Sequence, residues 1–264
     1  VTIYDEADLY CAAFSWSLDE EVAWLLGRYP QARSVLEPFC GHARYGPAFA
    51  SRGVTYVGFD RAGPMLAQAP AGEDITVVRA DARDFRIART PPGGFDLAWC
   101  PVNSLSHLTT DPDITSHLRC VRRHLAAGGV YVVELALVSH DGPWQDPPGM
   151  ENAWSVPQSD GTTVHAAWRR LDCELATRTC TERASFRRER DGTVISEIST
   201  VFTMRTWSCA DLVAMAGTAG FDVADRAVVH KEFEPGPDVE LSPDLENSGL
   251  NYYFCLTPSE GRTR

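Results

Sequence analysis

The stretch from Ser34 to Arg44 runs from a short apolar pattern through Glu37 into a turn at Phe39-Cys40-Gly41, and the next apolar run closes on Asp60. Without a Cβ, Gly41 lets backbone approach a ligand closely, and a carboxylate ending the following strand can take both hydroxyls of a ribose. The chemistry implied is nucleoside binding. A glycine turn alone is a weak signal, but comparable positions recur along the chain. Val57-Gly58-Phe59-Asp60 is followed by Arg61 and Met65. Asp81 and Ala82 follow a third apolar run, with Asp84 as a neighbouring competitor. Trp99-Cys100 ends a fourth and leads into Asn103, Ser104, His107 and Leu108.

Neutral imidazole is the side chain best suited to take a proton near neutral pH, so the histidines are the catalytic candidates. His107 and His140 follow the fourth and fifth apolar runs. His107 has a second reading as a hydrogen-bonding or ligand-contacting group. His165 stands beside Trp168 on a later strand pattern, where it faces either an acceptor or solvent. His117, His124 and His230 read as surface or packing positions. Tyr10, Phe14 and Trp16 form an aromatic group that is either helix packing or a flap over a ligand. Trp154, Trp168 and Phe186 read as strand core, and aromatic lining would suit an apolar acceptor.

Positioning these residues requires strands near 34–39, 55–59, 75–79, 95–100 and 129–136, alternating with helical patterns near 19–28, 44–52, 63–69 and 112–125. Such alternation predicts a parallel sheet covered by helices, with ligands at the carboxyl ends of its strands. A breaker cluster at 141–149 then precedes a change of period from 3.6 towards 2. Strands are expected near 162–171, 177–189 and 193–205, with turns at Asp160-Gly161 and Asp191-Gly192. A helix over 208–219 stopped by Gly220 and strands near 221–230 and 250–256 return to the first sheet. Residues 232–249, acidic and rich in proline, read as a loop. The expected organisation is a core with an N-terminal flap (1–140), an inserted antiparallel β lid over an acceptor (141–207) and completion of the core (208–264).

A chain of 264 residues can bury a full core, and its net charge of −12 argues against holding a nucleic-acid backbone. Arginine replaces lysine almost throughout, Lys231 being the only lysine. The eight cysteines contain no C-x-x-C pair, and the acidic residues form no evident oxygen cluster, so reduced thiols and no metal are expected. No signal-peptide pattern or apolar run of membrane-spanning length is present, and a cytoplasmic location is expected.

These ordered motifs resemble the class I S-adenosylmethionine-dependent methyltransferases, in particular the small-molecule branch with a β insertion. Phe39-Cys40-Gly41-His42-Ala43-Arg44 is similar to that branch's Cys-Gly-Thr-Gly-Arg turn. Tyr4-Asp5 with Leu9-Tyr10 resembles its N-terminal flap, and Asn103-Ser104 with His107-Leu108 resembles a stretch of glycine N-methyltransferases. The resemblance implies a Rossmann-like, mostly parallel sheet with one antiparallel strand. It implies S-adenosylmethionine as cofactor, with Glu37 and Gly41 at its methionyl end, Asp60 on the ribose, Met65 on an adenine face, and Asp81 with Ala82 at the adenine edge. Tyr10, Phe39, Arg61 and Cys100 complete the implied cofactor set, and Asn103, His165 and Trp168 the acceptor set. His42 and Ala43 replace the family's Thr and Gly, bringing an imidazole and a Cβ into the tightest part of the turn. After the fifth strand there is no arginine to hold an amino-acid carboxylate, so a simple amino acid is not the expected acceptor.

Methyl transfer to a small molecule at N, O or C is the implied reaction. Because the sulfonium leaving group is already activated, positioning supplies much of the rate and a base is optional. Alternatives are a cyclase or pericyclase that retains the cofactor, and a ligand-binding module without turnover. Oligomeric state is not legible.

Overall fold

Near-continuous apolar runs make strands buried on both faces, as a helix-covered parallel sheet requires. The computed structural model describes residues 1–141, 151–231 and 234–259. The chain begins with α1 (Ala7–Ala13) and α2 (Asp19–Arg28), followed by β1 (Ser34–Pro38), α3 (Gly46–Ala50), β2 (Thr55–Asp60), α4 (Gly63–Leu66), β3 (Ile75–Arg79) and β4 (Phe95–Cys100). After a 3-10 turn, Ser104–His107, come α5 (Asp111–His124) and β5 (Leu125–Ala136). The second half contains β6 (Glu151–Pro157), β7 (Thr163–Glu174), β8 (Thr179–Arg190), β9 (Thr193–Arg205), α6 (Cys209–Ala219), β10 (Phe221–Lys231), β11 (Glu234–Glu240) and β12 (Asn251–Pro258).

The core sheet has the order β11-β10-β12-β5-β4-β1-β2-β3. Strands β1 to β5 pair in parallel, whereas β12 runs antiparallel to both β5 and β10. The chain reverses its direction of travel across the sheet between β1 and β4, which opens a crevice at their carboxyl ends. Thr110 caps α5 through the amide of Asp113, and Ser208 caps α6 through the amide of Asp211. Gly220 ends α6 in the left-handed conformation expected of a helix stop (φ 82°).

Strands β6-β7-β8-β9 form a separate antiparallel meander. It has four strands where the sequence pattern suggested three, β6 having no strong alternation of its own. Apart from Asp141, the breaker cluster at 141–149 lies outside the described residues. Alternation sorts the faces of the meander: Val164, Ala166, Ala184 and Phe186 are buried, in one apolar cluster with Ile3, Leu9, Ala13 and Phe14 from the start of the chain. Trp154 Nε1 donates to the carbonyl of Ala13 at 2.7 Å, and Arg188 pairs with Asp8 at 2.7 Å.

The expected loop at 232–249 contains β11, which adds a second antiparallel strand. Its prolines suggested a loop, but β11 is an edge strand, where a missing amide hydrogen leaves no ladder bond unmade on the open side. Pro235 stands opposite His230, and Val239 opposite Ala227. None of the described helices is long and apolar enough to cross a membrane.

Candidate functional site

A cavity of about 240 Å³ opens at the carboxyl ends of β1 to β4. Gly41, Asp60, Met65, Asp81, Ala82, Tyr10, Phe39 and Arg61 line it, and Tyr4, Ser104, His107 and Thr109 close its other end. A second groove of about 600 Å³ lies between α5 and α6.

The cradle is built from backbone that few residues tolerate. Gly41 has φ 55°, and a Cβ there would stand 3.1 Å from Met65 Cε, so a side chain would enter the space beside Met65. Asp60 Oδ2 accepts from the Gly41 amide at 2.9 Å, while Oδ1 accepts from the Ala62 amide at 2.8 Å. A carboxylate has four acceptor positions, so Asp60 can hold the turn and still bind hydroxyls. Phe39 (φ 58°) and Ala43 (φ 54°) are also left-handed. Position 43 thus has a conformation that favours the glycine of the family turn, and Ala43 occupies it fully buried. Asp81 is held by Arg83 through Nε at 2.9 Å and Nη2 at 2.5 Å, and Arg83 brings its carboxyl down to about 2.

At the opposite end, Tyr4 Oη and His107 Nε2 lie 2.9 Å apart. Burial, reinforced by the charge of Arg61, lowers His107 to about 4. The ring is therefore neutral near pH 7. Burial likewise raises the Tyr4 hydroxyl well above its ordinary value. Beyond His107, Phe202 of β9 lies at 5.8 Å and Trp168 of β7 packs edge-on against Phe202 at 5.3 Å, both between ring centres. Trp168 Nε1 donates to the buried Glu182 at 2.6 Å. The insertion thus stands over the His107 end of the cavity.

His107 is carried by the 3-10 turn after β4, and that turn is entered through two left-handed residues, Val102 (φ 57°) and Asn103 (φ 54°). For a β-branched residue this conformation costs on the order of 1–2 kcal/mol. Val102 is also 39% exposed, so burial of its side chain does little to offset the strain.

Several expected site residues stand elsewhere. Glu37 is 2% exposed and accepts from Tyr56 Oη at 2.7 Å, behind the cavity wall. Its burial outweighs that bond and raises its carboxyl to about 8, so the group is largely protonated at neutral pH. Cys100 is fully buried under the sheet, and burial raises its thiol to about 12. Asn103 turns its carbonyl oxygen to Ser106 Oγ at 2.9 Å instead of to the cavity. His165 is on the opposite face of β7 from Val164 and Ala166, bonded to Ser155 at 2.8 Å, because successive strand side chains alternate. His140 pairs with Asp211 at 3.0 Å and Thr206 at 3.0 Å, where the chain passes between the core and the meander. Burial lowers its basicity although Asp211 opposes the change.

His117 and His124 are packing residues as expected. His117 bridges the Ala82 carbonyl and Tyr131 Oη, each at 2.9 Å. Tyr10 stacks on Phe14 at 4.4 Å and, alone of the aromatic group, also lines the cavity. Sequence reasoning missed Arg83, Glu134 and Glu182. Period-two alternation places Glu182 on the same face as Ala184 and Phe186, a signal that was readable.

Residues 35–129 match the family described as a methyltransferase domain. A dTDP-3-amino-3,4,6-trideoxy-alpha-D-glucopyranose N,N-dimethyltransferase of Streptomyces venezuelae is 29% identical over 141 residues, covering 52% of this chain and 54% of the relative. The chain spans about half the length of the curated relatives it matches. Among solved structures, Streptomyces venezuelae DesVI aligns over 91% of this chain and 90% of its own at 22% identity, with a TM-score of 0.68. The sugar N-methyltransferase KedS8 from Streptoalloteichus sp. aligns over 96% and 92% at 20% identity, with a TM-score of 0.69. The shared fold includes both sheets.

Proposed function

We propose that this chain, whose residues 35–129 match a methyltransferase domain, is a class I S-adenosylmethionine-dependent enzyme that methylates an amine nitrogen on a small, sugar-like acceptor in secondary metabolism. The observation carrying this reading is one cavity with the Gly41–Asp60 cradle at one end and the Tyr4–His107 pair at the other. Its relatives' names, which specify amino-sugar N,N-dimethyltransferases, support nitrogen among N, O and C as the acceptor atom.

The cradle suits the cofactor: the space beside Met65 is one that a Cβ on Gly41 would fill. Asp60 would take the ribose hydroxyls, Met65 a face of the adenine, and Ala82 with Asp81 its edge. When bound, S-adenosylmethionine supplies a methyl group on a positively charged sulfur that leaves as a neutral thioether. Phe39, Tyr10 and Arg61 would close the walls around it. The Glu37 carboxyl supports the turn from behind through Tyr56 and Gly41 reaches the ligand by backbone alone.

With a basicity near 4, His107 is too weak a base to take a proton from an ammonium. Its contribution is orientation: together with Tyr4 it holds a hydrogen of a neutral amine so that the nitrogen lone pair faces the methyl donor. Phe202 and Trp168 exclude water from that end, and the proton released after transfer goes to solvent. The meander of β6 to β9 is then the acceptor lid. We further place the protein in the cytoplasm, a reading that its eight thiols support.

The test is release of S-adenosylhomocysteine with a panel of amino sugars and their hydroxyl counterparts. Turnover with amines alone is expected. Turnover only with hydroxyl acceptors, or none together with unmeasurable cofactor binding, would overturn the proposal.

A further inference from the structure

Val102 holds a left-handed conformation that its β-branched side chain disfavours, whereas Asn103 tolerates it, and the chain leaves this pair directly into the turn that presents His107. The hold comes from across the sheet. The Val102 amide donates to Glu134 Oε2 at 2.5 Å. Glu134 lies near the end of β5, one residue beyond the register pair Cys100–Val133, and is 1% exposed. Its other oxygen accepts from His230 Nδ1 of β10 at 2.9 Å and from Asn251 Nδ2 of β12 at 2.5 Å. Three strands therefore converge on one carboxylate whose remaining contact is a strained backbone amide.

We propose that Glu134, ion-paired with His230, is a positioning residue that clamps the left-handed Val102–Asn103 turn and thereby sets the His107 ring against Tyr4. The route from clamp to ring is short. Asn103 accepts from the Ser106 amide at 3.1 Å and from Ser106 Oγ at 2.9 Å, and Ser106 Oγ in turn accepts from Trp207 Nε1 at 3.1 Å. His107 is the next residue. Released from Glu134, Val102 would relax to negative φ and rotate the turn that carries the ring.

Charge supports the pairing. Burial opposes ionisation of Glu134, yet the hydrogen bond and charge of His230, with the bonds from Val102 and Asn251, hold the carboxyl below its ordinary value. Burial opposes protonation of His230, and Glu134 outweighs it. Glu21 adds to the protonation of His230 and Arg44 opposes it. An ionised acceptor makes the stronger kind of hydrogen bond, which is what holding a strained amide requires.

The inference rests on the reading of His107 as part of the methyl-transfer site for its catalytic meaning, but the clamp is testable without turnover. The experiment compares wild type, Glu134→Gln, Val102→Gly and the double variant, each with 15N-labelled histidine, by the NMR shifts and titration of the His107 ring. S-adenosylhomocysteine binding is measured in parallel. Glu134→Gln should move the His107 signals and raise its midpoint by more than one pH unit, with S-adenosylhomocysteine affinity within threefold of wild type. Val102→Gly should change neither. In the double variant the His107 signals should return towards wild type, because glycine needs no clamp to remain left-handed.

Unchanged His107 signals in folded Glu134→Gln, or a double variant no closer to wild type than the single, would overturn the proposal. If Glu134→Gln does not fold, His230→Gln, which removes the imidazole while keeping a side-chain donor, is to be read by the same criteria. Absence of turnover in wild type would count against the methyltransferase reading and leave the NMR outcome standing.

Discussion

Asp60 Oδ2 accepts the amide hydrogen of Gly41 at 2.9 Å, so the carboxylate ending one strand fastens the turn that ends its neighbour. Binding site and turn therefore share a residue. Asp60→Ala should weaken S-adenosylmethionine binding by about 1.5–3 kcal/mol, the range for hydrogen bonds involving a charged group. Calorimetry on the folded variant checks this, and an unchanged affinity would remove Asp60 from the site.

Gly41→Ala tests the cradle from its backbone. A methyl group there meets Met65 Cε at 3.1 Å and forces a non-glycine residue to φ 55°. A stability loss on the order of 1–2 kcal/mol and at least about tenfold weaker cofactor binding are expected. Thermal denaturation and calorimetry separate the two effects.

For His107 the expectation is an orienting role. His107→Ala should lower kcat by about tenfold to a hundredfold, short of the roughly hundredfold to ten-thousandfold typical of a general base, with cofactor affinity unchanged. Because the ring is lowered to about 4, the rate profile should show no inflection near pH 6.5 from this residue. Such an inflection, lost in the variant, would restore the general-base assignment.

His140→Ala should leave turnover within threefold, since His140 is engaged by Asp211 and Thr206 away from the cavity. A loss of a hundredfold or more in a stable variant would return it to the chemistry.

Glu37 provides a pH test of stability. Its folded carboxyl titrates at about 8, above the ordinary 4.5, so the native state keeps a proton that the unfolded chain releases. Stability from this group is fully present below about 4.5 and is lost as pH rises towards 8, with a slope of about 1.4 kcal/mol per pH unit. Relative to Glu37→Gln, the wild type should decline over that window and run parallel above it. Denaturant titrations at several pH values measure the difference. A flat difference would mean that Glu37 is ionised in the folded state.

What could be read from the sequence divides by range. The strand-helix alternation, Gly41, Asp60, Met65 and the segment bearing His107 were legible because local pattern and local turn chemistry determine them. Strand β11 was not, because edge position, which makes Pro235 and Pro237 tolerable, is a property of the whole sheet. Glu37 and Cys100 were assigned to the cavity by analogy of position, while their rotamers turn them into the interior. His140 follows the right strand but meets Asp211, a partner 71 residues on in the chain, and no local signal announces that pairing. Glu134 resembled any polar residue ending a strand. Only the convergence of Val102, His230 and Asn251 distinguishes it.

Ile3, Leu9 and Phe14 share an apolar cluster with Val164, Ala184 and Phe186. The first residues of the chain and the inserted meander are consequently one packed unit, held by hydrophobic contact although far apart in sequence. Tyr10 lines the cavity from that unit and Tyr4 meets His107 at its acceptor end, where Phe202 and Trp168 pack behind the ring, so neither segment moves without disturbing the other. A ligand that orders the first residues is therefore expected to order the meander with them. Hydrogen exchange over residues 3–14 and 164–186 should slow in concert when S-adenosylhomocysteine is added.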